Sequence, residues 1–169
     1  MSWVHDRIFA AGGGQVPRTW AAFADQTAIG AIVHLSPGHP DTFIGPPPSA
    51  FLWLKIGDEA EADLAARGAA GRFVQACLAD GLTVLLHSSE SRHRTRWVFV
   101  SYLLISGSSL PHALRLAAEK PWLSPYRTDE STWQAFVHQL DEDRTASGRL
   151  GGRQRGDDHA LRRSGLHRA

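Results

Sequence analysis

Thr83-Val-Leu-Leu-His-Ser-Ser-Glu-Ser-Arg-His-Arg-Thr-Arg96 decides how the chain is read. Thr83 to Leu86 is a short apolar, β-branched run, as a buried strand requires. It stops at a polar loop holding His87, Ser88, Ser89, Glu90, Ser91, Arg92, His93 and Arg94. From Thr95 to Ile105 the residues are apolar nearly all round a helical wheel, which predicts a helix sunk in the core. Strand, tight polar loop and buried helix is an arrangement that aims backbone N–H groups and a helix N-terminus at an anion. An arginine in such a loop adds a planar fork that matches two phosphate oxygens.

The segments around this unit predict one domain over residues 1–143. Trp3–Asp6, Arg7–Ala11, Ala28–Leu35 and Phe51–Ile56 read as strands. Gly12-Gly-Gly14 reads as a flexible turn, and Pro17 opens a helix carrying Trp20, Phe23 and Ala24. An Ala-rich helix is expected from about Ala60 to Ala79, with Gly68 and Gly71 kinking or splitting it and Gly81 capping it. Ser109 can cap a helix through Ala117, and Asp129 or Ser131 a last one holding Trp133, Phe136 and Leu140. Strands first, helices last, gives an α/β sandwich with a central mixed sheet of about five strands flanked by helices.

Charge divides the chain. Residues 144–169 hold seven Arg and two Asp, whereas residues 1–143 hold 11 basic and 15 acidic side chains. The basic stretch lacks apolar periodicity and reads as a disordered tail, the alternative being a contact with nucleic acid or an acidic partner. It has no aromatic residue, which argues against base stacking on nucleic acid. No stretch of ~20 apolar residues predicts a membrane span. One cysteine, Cys77, excludes an internal disulfide, and its helical, apolar setting makes it a small buried hydrophobe. With no signal-peptide layout at the N-terminus, a cytoplasmic protein is expected. The nine His show no H-x-x-x-H spacing, so neither a metal nor another cofactor is expected.

The loop resembles the signature of the Cys-dependent tyrosine and dual-specificity phosphatases, His-Cys-x5-Arg-Ser/Thr between a strand and a helix. His87, Arg94 and Thr95 fall on that pattern. Ser88 occupies the place of the cysteine nucleophile and Ser91 that of the usual glycine. The resemblance covers about residues 5–140, with the elements in family order. Rhodaneses share a strand-loop-helix anion site, but the positions of His87 and Asp58 favour the phosphatases.

The resemblance implies a phosphate loop over Ser88 to Arg94, gripped by Arg94, with Ser89, Glu90, Ser91, Arg92 and His93 between. It gives His87 a bracing role and Thr95 the hydroxyl that helps a sulfur leave. Asp58, thirty residues before Ser88 and just after a strand, takes the place of the general acid. Glu59 competes for that role, and Asp58 can alternatively be a turn or N-cap residue. Glu90 is expected to point outward, since a carboxylate opposes an anion.

Family chemistry is covalent: a thiolate attacks phosphorus, an acid protonates the leaving oxygen, and water releases phosphate. A loop of this kind lowers a thiol pKa to ~3.5–7.5. The same field leaves the far weaker acid of Ser88 protonated, and no obvious base sits beside it: His87 precedes it on a strand, so its side chain points to the opposite face. Three readings follow: a pseudophosphatase that binds phosphorylated protein or a small phosphate ester with little or no turnover; an active phosphomonoester hydrolase captured as a Cys-to-Ser trap; or a non-catalytic interaction domain. Phosphoprotein, phosphoinositide, nucleotide and RNA 5′-phosphate are all open as ligands.

Overall fold

The computed structural model describes residues 1–16, 20–38, 43, 45–123 and 129–161, from 147 on as backbone alone. Five strands form one mixed sheet: β1 (Ser2–His5), β2 (Ile8–Gly12), β3 (Ile29–Leu35), β4 (Ala50–Leu54) and β5 (Thr83–Ser88), in the order β1-β2-β5-β3-β4. β1 pairs antiparallel with β2, and the other pairings are parallel. β5 lies at the centre because Val84, Leu85 and Leu86 are all fully buried, a continuous apolar run covered on both faces. The register sets Ser88 beside Gly12 on one side and Leu35 on the other. All four parallel strands therefore end together, where open α/β sheets place their ligands.

Alternation along the strands separates two cores. Ala10, Val33, Val84 and Leu86 face α2 (Leu64–Ala79), α3 (Arg96–Ile105), α4 (Leu110–Ala118) and α5 (Glu130–Leu161). Ala11, Ile32 and Leu85 face the other way, toward Trp20 and Phe23 of α1 (Trp20–Thr27). Pro17, expected to open α1, lies outside the described residues.

Two expectations are corrected. The Ala60–Ala79 segment is not one helix: a 3-10 turn at Glu59–Glu61 comes first, and Asp63 then caps α2 by accepting from the Ala66 N–H at 2.7 Å. Nor do Gly68 and Gly71 split α2, which runs unbroken. A Cβ on Gly71 would stand 2.8 Å from the Ser101 carbonyl carbon, so this glycine lets α2 and α3 approach closely.

Gly81 has φ +83° and closes α2, as expected. Asp129 caps α5, accepting from the Ser131 N–H and hydroxyl and the Thr132 hydroxyl, which together hold its carboxyl below the usual range. α5 continues through Leu161 and so carries the backbone past residue 143. The side chains from 147 and residues 162–169, the greater part of the expected disordered tail, lie outside the description. Among the described residues no helix is long and apolar enough to cross a membrane.

Candidate functional site

The loop after β5 is shaped by what lies beneath it. A Cβ on Gly12 would fall 2.1 Å from the Arg92 nitrogen and 2.6 Å from the Ser91 Cα, so only glycine fits at the end of β2. Gly13 has φ +56°, and its carbonyl lies 3.3 Å from His87 Nε2. Gly12 and Gly13, read from the sequence as part of a flexible turn, are the floor of the loop. Glycines needed for close approach and for turning look alike in a sequence.

His87 sits on the α1 face, opposite to Ser88, as strand alternation requires. It stacks on His34, the residue across from it on β3, with ring centroids 5.0 Å apart and Nδ1 atoms 2.9 Å apart. Desolvation lowers its pKa to about 4, so the ring is neutral. With the Nε2–H donating to Gly13, the His87 Nδ1 must accept, and His34 donates from its Nδ1. His34 was not foreseen; its alternation with Val33 and Leu35 on a buried strand is the signal that could have found it.

Ser88 ends β5 on the helical face and is 2% exposed. Its Oγ accepts from the Glu90 N–H at 3.3 Å. The Ser89 N–H donates to the Leu35 carbonyl at 2.9 Å, which turns that amide toward the sheet. Residues Arg92–Thr95 form a 3-10 turn ahead of α3. Thr95 stands at the N-cap of α3 but donates its hydroxyl to the Arg92 carbonyl at 2.6 Å. Arg92 reaches away from the loop and donates to Ser2 Oγ at 2.8 Å. His93 lies against Ser91 Oγ, at 2.9 Å from Nδ1 and 3.0 Å from Nε2. One oxygen equidistant from both ring nitrogens cannot lie along either in-plane lone pair, so this is not a nucleophile–base dyad.

Arg94 joins the loop to the segment after β4. Its Nη1 donates to the Gly57 carbonyl and lies 3.7 Å from Asp58 Oδ2. Its Nη2 lies 2.5 Å from Glu90 Oε2. Arg94 and Asp58, the expected phosphate ligand and general-acid candidate, are thus brought together across 36 positions. Asp58 also accepts from the Ala60 N–H at 3.1 Å, so it is a cap as well as a neighbour of Arg94. Glu90 is exposed, as expected, yet its carboxylate turns to the Arg94 guanidinium in a charge-assisted contact.

Glu59 is removed from competition. It is 5% exposed, its carboxyl is pushed up by burial, and it pairs with Arg67 at 3.4 Å. Arg67 in turn stacks on Trp133 at 4.1 Å. A cleft of ≈ 200 Å³ beside Asp58 is lined by Glu59, Arg67, Asp129 and Thr132. Its one cation is held by Glu59, so its walls do not suit a phosphate. Cys77 is buried with its thiol pushed up, an inert core residue as read. Among the described residues, no three His, Cys, Asp or Glu side chains cluster as metal ligands.

The chain matches solved structures across most of its length. Human DUSP28 aligns at TM-score 0.64 and 20% identity, covering 87% of this chain and 99% of that one. PTPMT1, solved in complex with PI(5)P, aligns at 0.65 and 15%, covering 82% and 95%. This is the dual-specificity phosphatase fold. A human tyrosine phosphatase-like serine/threonine/tyrosine-interacting protein shares it, at TM-score 0.58 and 18% identity, covering 87% of this chain and 97% of that one. No family model matches the chain, and no curated protein matches it by sequence. At 15–20% identity, the likeness to these structures is one of fold.

Proposed function

We propose that this phosphatase-like protein binds phosphate esters in the loop Ser88–Arg94 and turns them over slowly or not at all. The observation that carries the reading is the meeting of Arg94 with Asp58 at 3.7 Å, at the carboxyl ends of the parallel strands. That pairing supports Arg94 as a bidentate phosphate ligand and Asp58 as the carboxyl beside a leaving oxygen. Ser88 stands at the foot of the same loop, and among the described residues its Oγ meets the Glu90 N–H rather than a base. His87 lies on the other face of β5, and His93 is turned to Ser91. A hydroxyl left protonated is a poor nucleophile toward a phosphate dianion. A free, buried Cys77 fits a cytoplasmic setting for the protein.

The test has two parts. Inorganic phosphate or vanadate, titrated against tryptophan fluorescence, is expected to bind, and Arg94→Ala to weaken binding by at least tenfold, the loss of a charge-assisted bidentate contact worth roughly 1.5–3 kcal/mol. Binding indifferent to Arg94→Ala sinks the loop assignment. Ser88→Cys is then assayed on an aryl phosphate. Turnover that also requires Asp58 shows a site lacking only its thiolate, and sequencing codon 88 of the gene distinguishes a natural serine from a trap substitution.

One observation favours a second reading, an interaction domain that binds no phosphate. The Arg94 fork is already filled by the protein's own oxygens. The human interacting protein that shares the fold is named for interaction. Failure of phosphate to bind at millimolar concentration supports that reading over the first.

A further inference from the structure

A carboxylate inside a phosphate loop is a chemical conflict, and here it is built in. Glu90 stands two residues after Ser88, and its Oε2 lies 2.5 Å from Arg94 Nη2. The other arm of the Arg94 fork faces the Gly57 carbonyl and Asp58. The atoms that would grip a phosphate are thus already gripping oxygens of the chain. The Glu90 side chain is 49% exposed, whereas that of Arg94 is only 26% exposed. The carboxylate can swing into solvent while the guanidinium stays in place.

A phosphate held by Arg94 would bring like charges within a few ångströms of Glu90, and like charges at that range repel. Glu90 must then leave the fork, for solvent or for a cation carried by the ligand. The loop's own cations are engaged: Arg92 with Ser2, and Arg96, 8% exposed, in the buried field of Glu59. His93 lies against Ser91. The body of the protein, with 15 acidic and 11 basic side chains over residues 1–143, adds no general attraction for anions.

We propose that Glu90 sets the ligand class of the loop: it fills the Arg94 seat when the loop is empty, and on binding it turns to a cationic group carried beside the ligand's phosphate. The preferred ligand is therefore a phosphate monoester with a positive charge close to the ester, rather than bare phosphate or a polyanion. This rests on the phosphate-loop reading above. A small zwitterion and a phosphopeptide flanked by a basic residue share the chemistry.

The experiment measures affinity by calorimetry for four probes: inorganic phosphate, phosphoethanolamine, and two phosphotyrosine peptides with Arg or Glu next to the phosphotyrosine. Wild-type protein, Glu90→Gln and Arg94→Ala are compared. Glu90 is exposed, so its substitution leaves the core intact. In the wild type a cation-bearing probe is expected to bind roughly tenfold tighter than its cation-free counterpart. Whether phosphoethanolamine or the Arg peptide gains more identifies the source. Glu90→Gln is expected to bind inorganic phosphate roughly tenfold tighter and to lose the preference for cations. Binding that Arg94→Ala abolishes but Glu90→Gln leaves unchanged overturns the role of Glu90 alone. No binding of any probe to wild type or Glu90→Gln overturns the phosphate loop as well.

Discussion

His87 holds its place by staying neutral. It is fully buried, stacked on His34 and bonded to the Gly13 carbonyl, and its pKa is lowered to about 4 by burial. In the unfolded chain an unperturbed histidine titrates near ~6.5. Between those values the unfolded state binds more protons, so stability is fully present above pH 6.5 and falls as pH drops toward 4. The full shift amounts to about 3 kcal/mol. Urea unfolding from pH 7 to pH 4 should show this loss, and His87→Gln should remove most of it. Equal slopes in both proteins would mean that other groups carry the acid sensitivity. Because His87 props the floor on which Ser91 and Arg92 rest, ligand binding is expected to fade in the same window.

At the level of elements, the approach of α2 to α3 hangs on one atom's absence. A Cβ on Gly71 would lie 2.6 Å from Ile105 Cδ1 and 2.9 Å from the Ser101 carbonyl oxygen. The Ile105 tip can turn aside, but the Ser101 backbone cannot. Gly71→Ala would gain about 1 kcal/mol of helix propensity in isolation. Here overpacking should win, with a net loss of about 1–3 kcal/mol in urea unfolding. A variant more stable than wild type would show that the helices separate without cost. Since α3 carries the loop at its N-terminus, its displacement should also loosen Arg94 from Asp58. Gly12 does for β2 and the loop what Gly71 does for the helices, since the backbone it faces is that of Ser91 and Arg92.

Across the whole molecule, a buried charge cluster ties the Asp58 segment to the helical layer. Glu59 follows Asp58, Arg67 lies on α2, Arg96 opens α3, and Trp133 on α5 receives the Arg67 guanidinium on its face. Arg67 and Glu59 side chains are 3% and 6% exposed, so each depends on the other for its solvation. Arg67→Met should lower stability by about 3–5 kcal/mol, because the buried Glu59 loses its ion-pair partner at 3.4 Å. Glu59→Gln with Arg67→Met should recover more than half of that, and a double variant no better than the single would show that stacking on Trp133 matters more than charge. The sequence by itself determined the elements and the loop, because strand and helix periods and turn residues are local signals. Val84 to Leu86, the apolar Trp97–Ile105 run and the spacing of Ser88 and Arg94 were legible for that reason, and so was the phosphatase resemblance. The junction inside Glu59–Ala79 was less so, because a capping aspartate among alanines is a weak break. Only the tertiary structure decided that Glu59 is buried rather than catalytic, that Gly12 and Gly71 serve close contact rather than turning, that His34 meets His87, and that Glu90 lies on Arg94. Each of those depends on which neighbour a distant segment supplies, and on whether a charge finds a partner or water, which no spacing along the chain records.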